Sequence, residues 1–79
     1  MSLQLSPQQR LGPELRDLCQ LHAVDAGIGQ AVLRHDGQVV LSWQWWANYS
    51  GRGVDGFAPS LDAARIDLRS ALRSLGVTG

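Results

Sequence analysis

Between Gln30 and Trp46 the chain reads QAVLRHDGQVVLSWQWW, two runs of β-forming residues on either side of a turn. This pattern predicts a hairpin. Two turns compete. A two-residue Asp36–Gly37 turn sets Leu33 opposite Val40, whereas a three-residue HDG loop sets Leu33 opposite Val39 and Ala31 opposite Leu41. The longer loop gathers the large apolar residues on one face and is the expected one, since register follows the buried face.

Parity then sorts the second strand. Val39, Leu41, Trp43 and Trp45 share one side, and Gln38, Val40, Ser42, Gln44 and Trp46 share the other. The first set is a core face. The second is polar apart from Val40 and Trp46, so Trp46 should be exposed unless a bulge or a second copy covers it.

The last element is a helix. Ser60 caps it, and Asp62 sits in the first turn, where the helix dipole favours an anion. Leu61, Ala64, Leu68, Leu72 and Leu75 form its apolar stripe. Gly76 ends it, and Val77 is placed to fold back onto Leu72.

A first helix is expected to start at Ser6, with Pro7 at its first position and Gln9 completing a capping box. Leu11, Leu15, Leu18 and His22 follow at helical spacing, with Cys19 alongside. Pro13 either kinks this helix or delays its regular part to near Gly12. Gly27 and Gly29 argue that AVDAGIG is a connection after the helix ends at Leu21 or His22. After Tyr49 periodicity is lost, and a short third strand over Val54–Phe57 is weakened by Asp55 and Gly56. The expected fold is therefore α+β: a small antiparallel sheet of two to three strands, with the N- and C-terminal helices on one face.

Composition narrows the function more than it identifies one. Seventy-nine residues make one small domain over 1–79, and its apolar content of 44% suffices for a core. The longest apolar run is far below the roughly 20 residues of a membrane span, so no membrane partner is expected. The start carries no basic-then-apolar segment, and with Cys19 alone no internal disulfide can form. A cytoplasmic protein is the expectation. Seven arginines balance seven acids, and this formal neutrality argues against long-range attraction to a polyanion.

The chemistry expected of an enzyme is missing. Cys19, His22 and His35 fall short of the four-ligand signature of structural zinc. GRGVDG lacks the Lys-Ser/Thr ending of a phosphate loop and the spacing of a dinucleotide fingerprint. No nucleophile elbow accompanies the serines. Neither catalysis nor a cofactor is expected.

Two candidate surfaces remain. Trp46, Tyr49 and Arg52 have the composition of an interaction hot spot. On the last helix, Arg65, Arg69 and Arg73 recur every four residues around Ile66, an arrangement suited to an acidic partner or to phosphates. The leading expectation is a protein-interaction domain, acting as an adaptor, an inhibitor or a homodimer. The alternative is a nucleic-acid-binding accessory protein whose arginines meet phosphates while Trp46 and Tyr49 stack on unpaired bases.

Overall fold

The structure, a computed structural model, describes residues 9–77. A 3-10 turn at Gln9–Leu11 leads into helix α1 (Gly12–His22). Strands β1 (Asp25–His35), β2 (Gln38–Tyr49) and β3 (Arg52–Ala58) follow, and helix α2 (Leu61–Ser74) closes the order. The three strands form one antiparallel sheet in the order β1-β2-β3. This is the expected α+β arrangement, with the third strand present and longer than its glycines suggested. The expected cap at Ser6 lies outside the described residues.

α2 forms as its sequence dictates. The Ser60 hydroxyl accepts a hydrogen bond from the Ala63 N–H at 3.1 Å. Ala64, Leu68 and Leu72 are buried, with Leu61 and Leu75 packed at the margin. At the far end Gly76 is left-handed (φ 95°), and the Val77 N–H reaches back to the Leu72 carbonyl at 2.8 Å. This double-back seats Val77 fully in the core. α1 ends the same way, with Ala23 at φ 55° and the Val24 N–H on the Cys19 carbonyl at 2.8 Å. A left-handed alanine costs about 1 kcal/mol, which the burial of Val24 offsets.

The hairpin differs from expectation in its turn. His35 pairs with Gln38 and Leu33 with Val40, so the connection is the two-residue Asp36–Gly37 turn rather than the three-residue HDG loop. Both turn residues have positive φ, 51° and 75°, as the tight turn that matches strand twist requires. Ser50 and Gly51 repeat the same device between β2 and β3. Pairing runs unbroken from Asp25–Asn48 to His35–Gln38, with no bulge. β1 therefore starts at Asp25, and AVDAGIG is mostly strand rather than connection.

Both helices cover the sheet face that carries Ala26 and Ile28 of β1, Ala47 of β2 and Ala58 of β3. Trp43 and Trp45 lie on that face and pack against the cluster, as parity predicted. Leu41 and Val39 share the face but are exposed, which corrects the expectation that Leu41 packs under the helices. The reason is length. α2 is about 21 Å long at 1.5 Å per residue, whereas the twelve residues of β2 extend about 40 Å. The helices end before the hairpin does.

Candidate interaction surface

Three regions compete as a functional surface. The first is the far part of the hairpin. β3 pairs with β2 from Trp43 to Tyr49, so among the described residues β1 is the one strand paired with residues 38–42 of β2. This arm carries Val32, Leu33, Val39, Val40 and Leu41, each between 39% and 64% exposed. Val32, Val39 and Leu41 lie on the face that the helices occupy further along, and Leu33 and Val40 on the other. Apolar groups on both sides of a bare hairpin are not there for the core. None of these five was identified as a site residue from sequence. The available signal was strand length set against helix length.

The second region is the open face of the sheet. Trp46 lies there, opposite to Trp43 and Trp45, and is half-buried rather than free. Its indole lies across the backbone of Gly27, where a Cβ would collide with the ring, and it reaches to within 3.8 Å of where a Cβ would stand on Gly29. Those two glycines make room for the tryptophan on the neighbouring strand. Gly56 does the same for Trp45 on the other face, its would-be Cβ 2.6 Å from that ring. Phe57, diagonal to Trp46 on the open face, is half-exposed. Tyr49 is on the helix side and packs against the core, with Arg52 exposed opposite it. Trp46 and Tyr49 are thus on opposite faces and do not form one patch.

The third region is the side of α2 next to α1. Arg65 donates from Nε to the Arg10 carbonyl at 2.6 Å and approaches Asp62 at 3.6 Å. Arg69 meets Glu14 of α1 at 2.8 Å. Arg69 and Arg73 line a cavity of about 490 Å³ between the helices, together with Glu14, Asp17, Leu18, Leu21 and Val77. Ile66 is exposed and borders a shallower hollow with Arg65 and Arg69. The arginine row therefore ties α2 to the N-terminal segment before it offers charge to a partner.

The remaining chemical groups sit apart from these regions. Cys19 is buried, and burial pushes its thiol above the ordinary value. His35 stands exposed at the hairpin tip, 3.3 Å from Asp36. Among the described residues no three histidine, cysteine, aspartate or glutamate side chains cluster as a metal site would need. No described helix is long and apolar enough to cross a membrane. Protein-family models, curated proteins and solved structures all give no match to this chain.

Proposed function

We propose that this chain is a protein-interaction domain that engages its partner through the apolar hairpin arm. The observation that carries the reading is the exposure of Val32, Leu33, Val39, Val40 and Leu41 on a segment that no described helix covers. Isolated apolar residues on a surface need no explanation, but three on one face of the hairpin and two on the other leave both of its sides apolar, as an interface would require. A two-stranded hairpin is also marginal in water, so a partner's surface would stabilise as well as cover it. Trp46 and Phe57 lie nearer the body on the open face, separated from Val40 by Ser42 and Gln44.

Nucleic-acid binding has less support. Arg65 and Arg69 are already engaged with Arg10 and Glu14, and the formal charge is zero. Phosphate attraction would need cations in excess.

A photo-crosslinking side chain placed at Leu41 tests the proposal. In native lysate it is expected to yield covalent protein adducts, while the same group at Ser70 on α2 yields none. Equal labelling at both positions, or none at Leu41, would remove the arm from the interface.

A further inference from the structure

The three edges of the sheet differ in how they are closed. Arg10 donates from Nη1 to the Ile28 carbonyl at 3.5 Å and stacks its guanidinium over Trp43 at 5.5 Å, which covers the outer edge of β1 near the body. Further out, that edge carries Arg34, and the outer edge of β3 carries the exposed Asp55. Charges of this kind discourage edge-to-edge pairing. The third edge is the notch in β2 beyond the end of β3, residues 38–42, and its sequence QVVLS holds no charge and no proline.

The hydrogen-bond phase of the sheet fixes which backbone groups this notch offers. The Ile28 carbonyl points outward to Arg10, so Ile28 and Trp45 do not exchange hydrogen bonds with one another. In an antiparallel ladder this alternates. The odd-numbered residues of β2 therefore aim their N–H and C=O groups away from β1. From Trp43 onward β3 meets them, but at Val39 and Leu41 no described strand does. Four backbone groups, two donors and two acceptors, stand in a row around Val40.

From this geometry we infer that the notch binds the same segment of a second copy of this chain, antiparallel about a two-fold axis near Val40. The inference rests on the arm being the interface and names what occupies it. A segment with donors and acceptors spaced evenly about its midpoint is complementary to itself when reversed, which is the requirement of an isologous contact. The pairing joins two bare two-stranded arms into one four-stranded sheet, β1-β2-β2-β1, above the two-strand limit of marginal stability. It brings Val39 and Leu41 beside their counterparts on one face, and Val40 beside its own on the other. No charge lies in the contact, and a formal net charge of zero adds no repulsion between copies.

Sedimentation across a wide concentration range, combined with residue-resolved amide exchange, tests this. The wild type is expected to reach twice the chain mass of 8.6 kDa. As it does so, exchange at the Val39 and Leu41 amides should slow by about tenfold or more. Leu41→Lys, at a position already exposed, should keep the circular dichroism of the wild type and remain a monomer. A dimer in which those two amides exchange as fast as in dilute solution would overturn the edge pairing. A monomer at every concentration would overturn the second copy as occupant. Adducts of Leu41 with a different protein would then leave the interaction reading standing, whereas their absence as well would end both.

Discussion

Trp43 and Leu41 are two residues apart on one face of one strand, yet one packs into the core and the other is exposed. The half of the sheet around Trp43 has three strands, two helices and glycines cut to fit its tryptophans. The half around Leu41 has two strands and, among the described residues, no helix over either face. Alternation in the sequence assigned both residues to the same side correctly. Whether that side is covered depends on a second quantity, the reach of the helices, and only the clamped half lies within it. In the arm, apolar residues are surplus to folding, and this surplus is what makes it the best candidate for function.

The largest expected effect contrasts the two halves directly. Leu68→Ala removes a fully buried side chain beneath the clamped half and should cost about 2–5 kcal/mol, enough to unfold much of a domain this size. Leu41→Ala should cost under about 1 kcal/mol in the dilute monomer. Equal urea midpoints for the two variants would erase the distinction between core and arm.

A smaller effect sharpens the account of the glycines. Gly27→Ala drives a methyl group into the Trp46 ring and should destabilise the fold by about 1–3 kcal/mol. In a Trp46→Ser background the same change should cost little, because the obstructing ring is gone. Additive costs in that cycle would mean that the indole does not rest on Gly27.

The smallest effect concerns pH. Burial raises the Cys19 thiol pKa in the folded protein, so the unfolded chain ionises first as pH rises. The unfolded state then holds fewer protons, and stability falls from the ordinary thiol value upward, after being fully present below it. Cys19→Ala should flatten this alkaline decline when thermal midpoints are compared between neutral pH and pH values above the ordinary thiol range. An identical decline in both proteins would assign it to other groups.

Much of the fold was legible in the sequence, for physical reasons that differ by element. Ser60, the leucine stripe, Gly76 and Val77 all specify α2 locally and agree with one another, so that helix needed no tertiary information. The hairpin turn was misread because apolar residues on both faces of the arm leave register unspecified by burial. The left-handed pair Asp36–Gly37 decided it instead. Gly27, Gly29 and Gly56 read as breakers when taken alone. They are strand residues because tryptophans from β2 fill the space their missing side chains leave. The surface was the least legible part. Spacing placed Trp46 on the open face, but Tyr49 was grouped with it by composition alone, and regular strand from Trp46 to Tyr49 puts the two on opposite sides. The arginine row was visible, whereas its partners Arg10 and Glu14 lie too far away in sequence for spacing to reveal.

The central claim, that the arm is uncovered apolar surface, is tested most directly by hydroxyl-radical footprinting of the dilute protein with residue-level mass spectrometry. Strong oxidation of Leu33, Val39 and Leu41 is expected, with near-complete protection of Leu68 and Leu72, and the arm should become protected as concentration rises. Protection of Leu41 equal to that of Leu72 in the dilute monomer would contradict the claim.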